Sequence, residues 1–183
     1  MNKRFLAVLV VLLVGSASFA GFVNGTFLCT FPDDPQQTFH NWNFNDATDH
    51  LTLAENIHVL GFDQVNMSGV TDSDPTFHVT KTVTNSSGYT WTSYELLLGA
   101  GSATFVGTPF TDKFGTAVIS NAGLKITYSS PLVVLPGQTV VLDFDINVPS
   151  TGSFGFCLTQ NPIPEPATLA ILGLGGLLLR KRR

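Results

Sequence analysis

From 139 to 148 the residues alternate: Val140, Leu142, Phe144, Ile146 and Val148 share one side, and Thr139, Asp143, Asp145 and Asn147 the other. Successive side chains of an extended strand point to opposite faces, so this spacing builds a strand with one buried face and excludes an amphipathic helix. Pro149 ends the run, because proline has no amide hydrogen for a ladder. The period recurs over 153–159, where Phe154, Phe156 and Leu158 share a face, and over 76–84 and 91–98. Between the last two lies Asn85-Ser86-Ser87-Gly88, whose Asn and Gly tolerate positive φ; this predicts a β-hairpin. Weaker patterns predict strands over 26–31, 38–44, 57–62, 104–106, 117–119 and 124–128, and one helical turn over 49–56. Short strands at this spacing predict an all-β, antiparallel β-sandwich of the immunoglobulin-like or jelly-roll-like kind. The chain's 15 Phe residues suit the space between two packed sheets.

Both ends read as addresses rather than as parts of that body. Lys3 and Arg4 precede a ten-residue apolar run over 5–14, and Ser18-Phe19-Ala20 places small residues where a signal peptidase inspects them. This predicts a signal peptide over 1–20, helical through its apolar run and cut between Ala20 and Gly21. At the other end, Pro164-Glu165-Pro166 precedes an uncharged segment over 167–179, followed by Arg180, Lys181, Arg182 and Arg183. The 13 residues of that segment make a helix about 20 Å long, against a bilayer core of about 30 Å. Gly173, Gly175 and Gly176 weaken it further. A short apolar helix with a basic end retained in the cytoplasm suits a transient membrane station better than a permanent anchor. The body then spans 21–161 and the tail 162–183.

The tail resembles the PEP-CTERM sorting signal. The resemblance rests on Pro164-Glu165-Pro166 as the motif, the Gly-rich apolar helix, and Arg180 to Arg183 as the stop-transfer cluster. It implies recognition by an exosortase, passage through the inner membrane, and delivery of the body to the envelope or extracellular matrix. Prolines suit such a motif physically, because they hold the segment extended before the membrane. Leu135-Pro136-Gly137-Gln138-Thr139 begins like a sortase signal but is followed by Val140, and reads as a turn. The strands over 77–85 and 91–96 are loosely similar to strand pairs of immunoglobulin-like adhesive domains on bacterial surfaces.

Charge narrows the function classes. The body holds three basic residues, Lys81, Lys113 and Lys125, against twelve acidic ones, a net charge of −9. Nucleic acid is excluded as a partner, since binding it needs basic surface to replace phosphate counterions. Cys29 and Cys157 lie in an exported body, where a disulfide persists. A bridge between them would stabilise by roughly 4–5 kcal/mol on the chain-entropy account; the alternative is two separate small core residues.

Signs of chemistry are few. His40, His50, His58 and His78 fall in no zinc-binding spacing, and no nucleophile elbow or phosphate loop occurs. No catalytic residue, metal ligand or cofactor is therefore expected. Asp143 and Asp145 sit about 7 Å apart on one strand face, a spacing glycosidases use and solvent-facing strands also show. Asp33-Asp34 and Asp72-Ser73-Asp74 lie in proline-containing loops that could offer oxygen ligands to calcium, or simply be solvated turns. Trp42 and Trp91, flanked by Asn41, Asn43, Thr90 and Thr92, could stack on sugars or pack in the core. Asn24, Asn66 and Asn85 head glycosylation triplets of the kind that arise by chance.

The reading that follows is an exported, non-enzymatic envelope or matrix protein with a structural or adhesive role. Its expected partners are signal peptidase, an exosortase, the inner membrane in transit and extracellular polysaccharide. The alternatives are a carbohydrate-binding or carbohydrate-active protein with the same tail, and a simple tail-anchored periplasmic protein.

Overall fold

The computed structural model describes residues 22–23, 25–31, 39–71, 76–148 and 151–166. These form an all-β body of eleven strands: β1 (Leu28–Thr30), β2 (Phe39–Asn45), β3 (His50–Ile57), β4 (Asp63–Thr71), β5 (Thr76–Asn85), β6 (Trp91–Gly99), β7 (Thr104–Thr111), β8 (Thr116–Ser120), β9 (Lys125–Val134), β10 (Thr139–Asn147) and β11 (Gly152–Pro164). One sheet runs β1-β4-β11-β6-β9-β8 and the other β2-β3-β5-β10-β7. Pairing is antiparallel except between β3 and β5. Among the described residues the one helical element is a 3-10 turn at Asn121–Gly123, and no helix is long and apolar enough to cross a membrane. The helices expected within 1–20 and over 167–179, with Ala20, Gly21 and Arg180 to Arg183, lie outside the described residues, as do Asp33, Asp34, Asp72 and Asp74.

The alternation builds the core directly. In β10, Val140, Leu142, Phe144 and Ile146 lie opposite Val83, Lys81, Val79 and Phe77 of β5, and all eight are buried. Phe154, Phe156 and Leu158 of β11 face them from the other sheet within one continuous cluster. Phe77 and Phe156 meet across the sheets with ring centroids 6.3 Å apart. Gly69 of β4 pairs with Phe154, and a Cβ at Gly69 would come 2.7 Å from the Phe154 ring. The strand gives up a side chain there so that an aromatic from its neighbour can lie over the backbone.

Three local expectations fail. The segment 76–98 is not a hairpin: β5 and β6 belong to different sheets, and the chain crosses from one to the other. Asn85 anchors the crossing, its Nδ2 donating to the carbonyls of Tyr89 at 2.8 Å and Val134 at 3.0 Å. Ser87 Oγ donates to Asn85 Oδ1 at 2.7 Å and accepts from Trp91 Nε1 at 3.1 Å. Turn-forming residues thus serve as a buried polar knot, and the fully buried Asn85 is closed to glycosylation. The helical turn over 49–56 is instead β3, with Leu51, Leu53, Glu55 and Ile57 turned inward. The strand expected over 57–62 is mostly the loop after β3, and β4 follows it. β11 runs on past residue 161 and ends at Pro164.

Of the two readings of Cys29 and Cys157, the possible bridge is corrected: both cysteines are free and buried. β4 lies between their strands, Cys29 beside Met67 and Cys157 beside Asn66. Met67 and Asn66 are successive residues, so the two thiols point to opposite faces of the sheet. Two strand spacings put their Cα atoms about 10 Å apart, beyond the reach of a disulfide. Burial pushes the Cys29 thiol up to about 12, which keeps it unreactive at neutral pH.

Candidate functional site

The sorting motif begins inside the sheet. β11 lies between β4 and β6, but β4 starts at Asp63, opposite Gln160. Beyond Gln160 the strand pairs with β6 alone: Asn161 with Glu95, Pro162 with Tyr94, Ile163 with Ser93, and Pro164 with Trp91 across a bulge. The Glu165 amide then donates to the Thr90 carbonyl at 3.0 Å. Amides alternate in direction along a strand, so the donors that Pro162 and Pro164 lack would have faced the side where β4 has ended. Proline is tolerated in a strand at such an open edge. Thr92 Oγ1 lies 3.4 Å from both the Ile163 and Pro164 carbonyls and clamps the end of the strand. Pro162 is buried, Pro164 half-buried, and Glu165 and Pro166 are exposed. One proline of the motif is therefore part of the ladder, while its carboxylate and second proline face solvent. Thr90 and Thr92 stand out in the sequence only as polar flanks of Trp91, because nothing in their spacing reveals which strand end they hold.

A second cluster lies where β11 parts from β4. Lys81 and Glu55 form an ion pair with both side chains fully buried. Gln160 Nε2 donates to Glu55 Oε2 and to Asp63 Oδ2, each at 2.7 Å, and its Oε1 accepts from the Tyr94 hydroxyl. His40 Nδ1 lies 3.6 Å from Glu55 Oε1, and His40 Nε2 lies 3.9 Å from Asp63 Oδ2. Burial works to raise the Glu55 carboxyl, but the positive charge of Lys81, helped by His40 and Gln160, outweighs it and holds the group down at about 2. Asp63 moves upward, through burial and then the negative charge of Glu55. The Tyr94 hydroxyl is held well above its ordinary value by burial and both carboxylates. Lys81, Glu55 and Gln160 each occupy the inward phase of an alternating strand, and that phase violation is the signal by which the sequence could have exposed them.

The other candidates separate. Asp143 and Asp145 stand on the outer face of their sheet, around His78: His78 Nδ1 is 2.8 Å from Asp145 Oδ1 and Nε2 is 3.6 Å from Asp143 Oδ1. Trp91 is fully buried and cannot stack on a sugar. Trp42 is half-buried on edge strand β2 and lines a shallow depression with Asn41, Asn43 and Thr52.

Comparison with known proteins bears on the tail. Residues 162–183 match the family model described as the PEP-CTERM protein-sorting motif. The chain carries that sorting signal, which implies an exosortase as processing partner and export by membrane-associated sorting. No curated protein matches the chain.

Proposed function

We propose that this chain is an exported, non-enzymatic protein whose β-sandwich body is delivered by an exosortase to the cell envelope or extracellular matrix, where it has a structural or adhesive role. The sorting motif at 162–183 is the observation that carries the reading. The signal peptide over 1–20 brings the chain to the membrane, and cleavage after Ala20 leaves Gly21 as the new amino terminus. The tail over 167–179 holds the precursor in the inner membrane, with Arg180, Lys181, Arg182 and Arg183 stopping transfer. The exosortase then engages Pro164, Glu165 and Pro166 and releases the body. An acidic body without arginine suits a soluble cargo in that setting. Replacing Glu165 and Pro166 by Ala should leave full-length protein in the membrane fraction. Processing at the wild-type rate in that variant would defeat the assignment of the motif residues.

A carbohydrate-binding role is the second reading. Trp42, which is only half-buried on edge strand β2, favours it. A partly open aromatic face suits the apolar C–H face of a sugar ring. On a glycan array the wild type should then bind and Trp42→Ala should not. An array without signal for either would remove this reading.

A further inference from the structure

We propose that His40, Glu55 and Asp63 bind a divalent transition-metal ion of the zinc class in the gap between their donor atoms. β2, β3 and β4 contribute one residue each, so no short sequence motif marks the set. One ligand atom from each residue lies within 4.8 Å of the other two. His40 faces both carboxylates, Nδ1 lying 3.6 Å from Glu55 Oε1 and Nε2 3.9 Å from Asp63 Oδ2. Ligands bonded at about 2.0–2.1 Å to one tetrahedral ion stand roughly 3.3 Å apart, so a small inward shift of these side chains lets one His40 nitrogen and one oxygen from each carboxylate share it. The three groups are thus close enough to share an ion.

A second observation points the same way. Glu55 Oε1 is buried and accepts no hydrogen bond, with His40 Nδ1 3.6 Å away. Lys81 and Gln160 occupy the other oxygen, Oε2. A carboxylate offers lone pairs on both oxygens, so the ammonium on Oε2 leaves Oε1 directed at the gap. A lone buried acceptor is costly, and a cation removes that cost. Two carboxylates against one ammonium also leave the cluster short of positive charge.

The surroundings are those that orient metal ligands. Gln160 bridges both carboxylates through one amide, and Tyr94 fixes Gln160 in turn. Phe31 stacks on the His40 ring at 3.9 Å with the planes 13° apart, which sets the ring nitrogens edge-on to the carboxylates. The His40 and Asp63 side chains keep 7% and 14% exposure, giving an ion a route from solvent. One imidazole with two carboxylates suits zinc or manganese rather than calcium, which takes oxygen donors. Three protein donors leave a fourth position for water. An ion there would join β2 and β3 of one sheet to β4 of the other.

The test is titration of the full chain, stripped of metal, with zinc chloride, followed by calorimetry and thermal unfolding. One ion per chain and a raised Tm are expected. His40→Ala and Asp63→Asn, each checked for a wild-type circular dichroism spectrum, should bind at least tenfold more weakly. Cobalt(II) in place of zinc gives a readout independent of stability: visible d–d absorption of imidazole-ligated cobalt in the wild type, absent in His40→Ala. Two outcomes overturn the proposal. One is no saturable binding by the wild type. The other is binding that His40→Ala leaves intact and that His78→Ala abolishes, which would place the ion on the outer face with Asp143 and Asp145.

Discussion

Lys81 shows how one residue can look ordinary in a strand and still govern the core. It lies between Val79 and Val83 in β5 and opposite Leu142 of β10, so its ammonium enters apolar surroundings and meets Glu55. A buried ion pair is weak evidence of net stability, yet breaking one half of it costs about 3–5 kcal/mol because the other charge stays buried. Lys81→Met should therefore lower the unfolding free energy by about that amount, and adding Glu55→Gln should recover most of it; denaturant titration measures both. A double variant as unstable as the single one would contradict the pairing. The pH dependence follows from the same group. Glu55 falls from its ordinary 4.5 to about 2 in the fold, so its contribution is complete above pH 4.5 and is lost as the pH falls from 4.5 towards 2. Asp63, shifted upward, acts in the opposite sense. Unfolding midpoints between pH 5 and 2 should fall steeply in the wild type and less steeply in Glu55→Gln. Lys81 was legible as a charge in an apolar phase; its partner was not, because pairing diagonally across two parallel strands leaves no trace in either strand's own period.

At the scale of elements, alternation located most strands and failed where the inward residues are small or polar. β4 turns Val65, Met67, Gly69 and Thr71 inward, too weak a pattern to stand out. Glu55 interrupts the apolar phase of β3, which made a strand look like a helical turn. The crossing at 86–90 was unreadable for another reason: a turn sequence reports that the chain reverses, not whether it stays in its sheet. The sorting motif was fully legible as a motif and illegible as the end of a strand, since two prolines argue against pairing unless their empty donor side faces no neighbour. That arrangement has a direct consequence for exchange. The Glu165 amide should exchange at least about tenfold more slowly than in an unfolded chain, since a ladder bond must open first. Unprotected exchange at Glu165, measured by NMR, would show that the motif hangs off the sheet.

For the whole molecule, the junction between body and tail is short. One residue, Pro166, separates the last ladder bond, at Glu165, from the apolar segment that starts at 167. Two extended residues reach about 7 Å, so under the proposed route, with 167–179 seated in the membrane, the body would lie close against the bilayer. A processing enzyme must then work beside a folded sheet. Inserting six Gly/Ser residues between Asn161 and Pro162 should speed processing in a pulse-chase experiment by moving the motif off β6; an unchanged rate would show that the ladder does not limit access. The same junction fixes how the body responds to load. Tension on the tail enters β11 at its end, where β6 is the one neighbour, and can peel residues 161–165 a rung at a time. At Gln160 the strand becomes flanked by both β4 and β6 and is bonded to Glu55 and Asp63. There the pull changes from peeling to shearing two ladders at once, so the fold yields by five residues and then stops.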